Sequence, residues 1–198
     1  DFAAFAAVLD RHRQAVARSG EGGHPMAAAT DVGQLANERQ VETTAEQVER
    51  SVAAGARVVT GGKRLGGRGY YYAPTVLTGV TPDSPAYYDE VFGPVAIIFR
   101  VATVDDAIRV ANDSPFGLGA SAWTTDPAER ARFVLELEAG MVFINAMVAS
   151  DPRLPFGGVK QSGYGRELAE NGLREFVNIK SVWIQDAAPL SQKLSDSE

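Results

Sequence analysis

The 198 residues contain no cysteine, so the chain has no disulfide framework, no thiolate metal site and no thiol nucleophile of its own. Histidine is nearly as scarce: His12 and His24 stand apart, without the spacing of a metal-binding pair, and both are expected on the surface. Basic charge is not in excess either. Nineteen Lys and Arg are outnumbered by twenty-five Asp and Glu, giving a formal charge of -6, and they are scattered, which excludes the basic patch needed by a nucleic-acid or anionic-membrane partner. No run approaches the eighteen or so apolar residues of a membrane span, and no basic stretch precedes an apolar one at the N-terminus. A cytoplasmic setting is the expectation.

What is present suits a globular fold: 45% hydrophobic and 22% charged side chains, at a length that buries about 70% of the surface exposed by the unfolded chain. The chain opens on Asp1-Phe-Ala-Ala-Phe, without Met and inside an amphipathic pattern, as a chain cut from something longer would. Phe2, Phe5, Leu9 and Val16 predict a helix over residues 1 to 18, followed by a Gly-rich loop to about Gly33.

Val41, Val48 and Val52 mark a second helix between Asn37 and Ala54, stopped by Gly55, and a short strand follows at residues 57–60. The β-rich stretch from Tyr70 to Leu77 is a further strand, with Tyr70, Tyr71 and Tyr72 on its surface rather than forming a base-stacking platform. Residues 94–101 form a near-continuous apolar run, expected of a strand covered on both faces. Thr103 and Asp106 have capping-box spacing and introduce a helix to about Asn112. After a short strand at residues 120–123, Asp126-Pro127 begins a helix to Glu138, and residues 141–145 form another buried strand. This alternation predicts a mainly parallel α/β layer. Beyond a Gly-rich loop and a short helix near residues 167–173, residues 176–184 alternate apolar and polar as a terminal strand, which needs a partner sheet.

Four motifs occur in one order: Glu90-Val-Phe-Gly-Pro-Val95, Asp113-Ser-Pro-Phe-Gly-Leu-Gly119, Gly140-Met-Val-Phe-Ile-Asn145 and Pro155-Phe-Gly-Gly-Val-Lys-Gln-Ser-Gly163. Together they resemble the C-terminal part of the NAD(P)-dependent aldehyde dehydrogenase superfamily, over roughly residues 31 to 184. The stretch Asp151-Pro-Arg-Leu-Pro-Phe-Gly-Gly-Val-Lys-Gln-Ser-Gly-Tyr-Gly-Arg-Glu-Leu168 is most similar to the succinate-semialdehyde dehydrogenase group.

The resemblance implies a mainly parallel Rossmann-like sheet of a catalytic domain with a C-terminal β arm for oligomerisation. Residues 1–160 then correspond to the later part of that domain, 161–175 to a linker helix returning toward the cofactor side, 176–186 to the oligomerisation strand, and 187–198 to a flexible tail. The family's nucleophilic Cys, general-base Glu and oxyanion-hole Asn lie upstream of the matching segment, so no catalytic residue is expected in this chain.

The resemblance also assigns a site. Glu90 receives the hydroxyls of the nicotinamide ribose, Phe92 packs beside the nicotinamide, and Gln40 reaches the same ribose; the cofactor is NAD or NADP. A carboxylate accepts from two vicinal hydroxyls, and an aromatic ring restrains a planar heterocycle. On the substrate side stand Asn145, Ser150 and Phe156, with Ser150 placed to hold a distal substrate carboxylate; Arg153 is not a residue of the family's site, but it stands close by in sequence as a further cation. Asn145 has a plainer reading as a strand cap through local backbone bonds. The Gly163-Tyr-Gly-Arg-Glu-Leu168 stretch lacks the third Gly and the preceding strand of a phosphate loop, so flexibility and a helix entry suffice for it.

The implied partners are a small aldehyde and either a second copy or the upstream half of the same enzyme, docked through the C-terminal strand. The chain is expected to be inactive alone. The other reading is a non-catalytic truncated homologue acting as an interaction protein, its terminal strand adding to a partner's sheet.

Overall fold

The computed structural model describes residues 32–67 and 69–185. The expected helix over residues 1 to 18, most of the loop after it, His12, His24 and the acidic tail lie outside the described residues. The chain divides into two compact units, the first running to Pro115 and including residues 131–138, the second made of residues 116–130 and from 139 onward.

In the first unit, helix α1 (Glu38–Ala53) begins where Asn37, in extended conformation, accepts the Gln40 backbone N–H on its side chain at 3.0 Å. Its buried residues Val41, Thr44, Val48 and Ser51 recur at three- and four-residue steps, so one stripe faces the core. Gly55, at φ +106°, takes the left-handed turn that ends it. Strand β1 (Arg57–Thr60) pairs antiparallel with β2 (Thr75–Thr78), with an irregularity between Val58 and Thr60, and β2 pairs parallel with β3 (Val95–Ile98). Strand β2 is the centre: Thr75, Val76 and Leu77 are all buried, and Leu77 joins Val41, Val48, Ala56, Tyr72, Val80 and Ala86 in the core. Helix α2 (Pro85–Tyr88) is a single turn started by proline, and α3 (Val104–Asn112) follows the Thr103 cap, whose hydroxyl accepts the Asp106 N–H at 3.1 Å.

In the second unit, β4 (Phe116–Gly117) pairs antiparallel with β7 (Val159–Lys160), and β5 (Gly119–Ala122) pairs parallel with β6 (Met141–Ile144). Helix α4 (Pro127–Glu136) contributes residues to both units, and α5 (Ala169–Arg174) closes the ordered elements. Among the described residues, no helix is long and apolar enough to cross a membrane.

Several expectations are corrected. The α/β class holds, and among the described residues the strands form three small sheets, with two parallel and two antiparallel pairings. Strand β3 is covered on one face rather than both: Val95 and Ile97 pack against the core of the first unit, while Ala96 on the opposite face is exposed. Strand β6, expected buried, is intermediate throughout. Of the three tyrosines read as a strand surface, Tyr71 and Tyr72 are buried, and only an isolated bridge from Arg64 to Tyr72 precedes β2. Residues 178–185 carry no strand pairing and residues 176–185 are exposed; an end strand forms its ladder only when another sheet supplies the partner.

Candidate functional site

Helix α2 runs into the loop that carries Glu90 and Phe92. Its position is set by Asp113, at the end of α3, which accepts the Tyr87 hydroxyl at 2.8 Å and the Tyr88 hydroxyl at 3.4 Å, while Phe99 packs edge-on against Tyr87. The bond to Asp113 stabilises the protonated phenol and raises the Tyr87 pKa. Beyond α2 the loop is held from α1. The Gln40 amide donates to the Phe92 carbonyl at 2.7 Å, and the Gln47 amide donates to the Glu90 carbonyl at 3.2 Å.

Gly93 presses against the buried Thr44. The side chains of Glu90 and Phe92 are thereby left outward: Glu90 is exposed, and the Phe92 ring is 68% exposed. A cavity of about 340 Å³ belongs to the second unit, but here a shallower space of about 460 Å³ is lined by Gln34, Leu35, Ala36, Gln40, Val91, Phe92 and Gly93. The structure therefore brings Gln40 and Phe92 to one space, while Glu90 is exposed on the same loop and is not among the residues that line it. Gln40 is committed to the loop through its N–H, which leaves its amide oxygen as the atom free to accept.

Sequence reasoning missed Gln47. Its signal was available in the seven-residue spacing from Gln40, which puts both on one helix face.

In the second unit, β6 ends at Asn145, which adopts φ +55° and continues the ladder by donating its backbone N–H to Ala122 O at 2.7 Å. The Asn145 side chain accepts the Thr124 N–H and donates to the Thr124 carbonyl, each at 2.9 Å. Asn is tolerant of the left-handed region, and its amide here closes both main-chain groups of a facing loop. These bonds are not local: they tie the end of β6 to a segment 21 residues away.

The 340 Å³ cavity is lined by Phe143, Ile144, Ala149, Asp151, Leu154 and Phe156 among others. Phe156 stands in its wall, locked by reciprocal backbone bonds with Glu167 at 2.7 Å; Asn145 and Ser150 are not lining residues, and Ser150 is exposed. Arg153 is bound by its neighbour: Nε and Nη2 donate to the two Asp151 oxygens at 2.9 and 2.6 Å. The guanidinium holds Asp151 below the usual carboxylate range, so the cation expected for a substrate is already neutralised. Arg166, which sequence reasoning passed over, donates to the carbonyls of Gly158 at 2.7 Å and Gly165 at 2.8 Å and ties the Gly-rich loop together. Among the described residues, no three His, Asp or Glu side chains gather as a metal-ligand set.

Residues 4–182 match the aldehyde dehydrogenase family. The chain belongs to that family.

Among curated relatives, succinate-semialdehyde dehydrogenase [NADP(+)] 1 of Mycobacterium ulcerans is 55% identical over 162 residues, covering 82% of this chain and 35% of the relative. The succinate-semialdehyde dehydrogenase [NADP(+)] of Mycobacterium avium is 56% identical over the same length, covering 82% of this chain and 34% of its own. The chain thus spans about a third of the length of these relatives. Among solved structures, an NAD-dependent aldehyde dehydrogenase from Sinorhizobium meliloti superposes with a TM-score of 0.87 at 36% identity, over 95% of this chain and 37% of that one. The succinic semialdehyde dehydrogenase of Streptococcus pyogenes, solved with NADP+, gives 0.80 at 37% identity, over 90% of this chain and 40% of the other.

Proposed function

We propose that this chain is the C-terminal portion of an NADP-dependent aldehyde dehydrogenase that oxidises succinate semialdehyde, or a similar aldehyde, to the carboxylic acid. The observation that carries this reading is the loop at residues 90–93: two glutamine amides fix its main chain while the Glu90 carboxylate and an aromatic ring 68% exposed are presented outward. The pinned main chain leaves both side chains available to a ligand, and an aromatic ring can restrain a planar heterocycle. The acceptor set fits a nicotinamide ribose, because an exposed carboxylate accepts from two vicinal hydroxyls and the Gln40 oxygen is free to accept from another.

NADP+, when bound, takes the hydride leaving the aldehyde carbon. Glu90 and Phe92 restrain the ribose and ring; Phe156 walls the aldehyde pocket, Ser150 meets the distal carboxylate, and Asn145 holds the strand end that aims this loop. The chain has no thiol, so the nucleophile comes from the upstream portion of the enzyme, and the lone chain is inactive. The choice of substrate and of NADP+ rests on the names of relatives about 55% identical.

A specific observation favours assembly through the C-terminal segment. Phe176, Ile179, Trp183 and Ile184 are each at least 85% exposed on a stretch whose backbone pairs with nothing among the described residues beyond position 177. Such a stretch docks as an added strand on a second copy or on the upstream half, and a truncated homologue would use it in the same way.

The test of substrate class is the complete enzyme carrying these residues, assayed with succinate semialdehyde and with an uncharged aldehyde of equal length. Preference for the carboxylate-bearing substrate, reduced in Ser150→Ala, is expected. No preference would remove the succinate-semialdehyde reading.

A further inference from the structure

Four residues on α1 at steps of four, three and four, Gln40, Thr44, Gln47 and Ser51, lie along one helix face and all meet the α2 segment or the loop after it. Gln40 donates to Phe92 O, Thr44 abuts Gly93, Gln47 donates to Glu90 O, and the Ser51 hydroxyl accepts the Ala86 N–H at 3.1 Å. The two glutamines grip the loop at carbonyls two residues apart, on either side of Val91. A peptide unit is planar, so fixing the Glu90 carbonyl fixes the plane that leaves the Glu90 Cα and with it the direction in which the carboxylate is carried.

The Gln47 bond is exposed, and an exposed neutral hydrogen bond adds little to global stability, because water replaces it readily. Its consequence is placement. We infer that Gln47 is a positioning residue for the cofactor ribose: it acts through the main chain of Glu90 and orients the carboxylate that receives the ribose hydroxyls. This rests on the proposed role of Glu90 and Phe92.

The test uses Gln47→Met, a neutral variant of similar length without the donor, and Gln47→Lys, which restores one. In the 198-residue chain, hydrogen exchange over residues 90–95 is expected to quicken roughly fivefold in the Met variant and to stay near the parent rate in the Lys variant, with the β2 core unchanged. In the complete enzyme carrying these residues, the Met change is expected to weaken NADP+ binding roughly three- to tenfold at unchanged aldehyde KM, with recovery in the Lys variant. In a Glu90→Ala background the same Met change should have no further effect, since its route is then missing. Full additivity in that background, or unaltered NADP+ affinity in the Met variant while Glu90→Ala weakens it, would overturn the role of Gln47 and leave that of Glu90 standing. Unaltered affinity in Glu90→Ala itself would remove both.

Discussion

Gly93 and Thr44 are so close that the glycine has no room for a side chain: a carbon placed there would stand 2.9 Å from both Thr44 Oγ1 and Cγ2. Thr44 cannot swing aside, because it is β-branched, 1% exposed and part of the buried stripe of α1. The fit brings the loop main chain within reach of the glutamine amides on either side.

Gly93→Ala is therefore expected to cost about 1–3 kcal/mol and to disturb the loop, as overpacking does. Thr44→Ala in the same chain should return part of that loss by opening the space. Denaturant midpoints of the two single variants and the double give the coupling, and strict additivity would show that the two residues do not compete for volume.

Ser51 joins α1 to α2. Its hydroxyl donates to Gln47 O at 2.7 Å and accepts the Ala86 N–H at 3.1 Å, with the residue fully buried. Ser51→Ala leaves the Ala86 N–H in the core without that acceptor, and an orphaned buried donor costs about 1–3 kcal/mol. A lower urea midpoint at unchanged slope is the expected result, and an unchanged midpoint would show that water reaches Ala86.

Tyr72 limits stability in alkali. Burial beside Leu77 and Val80, with the negative charge of Glu49 adding to it, pushes the phenol up from 10.0 to about 12. The folded pKa lies above the unfolded one, so the contribution is complete below pH 10 and is lost as pH rises through about 12. Tyr72→Phe cannot ionise, and its alkaline unfolding, followed by circular dichroism, should move to higher pH relative to its own neutral stability. Parallel loss in both proteins would deny Tyr72 this part.

The elements whose signals are local were legible in the sequence. Asn37 and Gly55 bracket α1, Thr103 and Asp106 open α3, and Pro127 opens α4, each within a residue or two of the expected place. What the sequence did not carry was which partner each element meets. Tyr70, Tyr71 and Tyr72 read as β surface by residue type, yet the last two are buried, because burial depends on what packs over them. The apolar run of β3 is only partly covered and the alternating stretch at residues 176–184 is exposed among the described residues, which residue type alone does not reveal. Gln40 meets the loop that carries Glu90 and Phe92, and Gln47 holds the same loop through a carbonyl 43 residues away in the chain, a contact that no local signal announces. Arg153 failed as a free cation for the opposite reason: its partner was two residues away, and only geometry shows the pair closing.

The most direct measurement exposes the purified 198-residue chain to succinate semialdehyde and NADP+, followed by intact mass and NADPH absorbance. No acyl adduct and no NADPH are expected until a Cys-bearing upstream portion is supplied. An acylated chain, or NADPH formed by the chain alone, would overturn the assignment of the nucleophile to that portion.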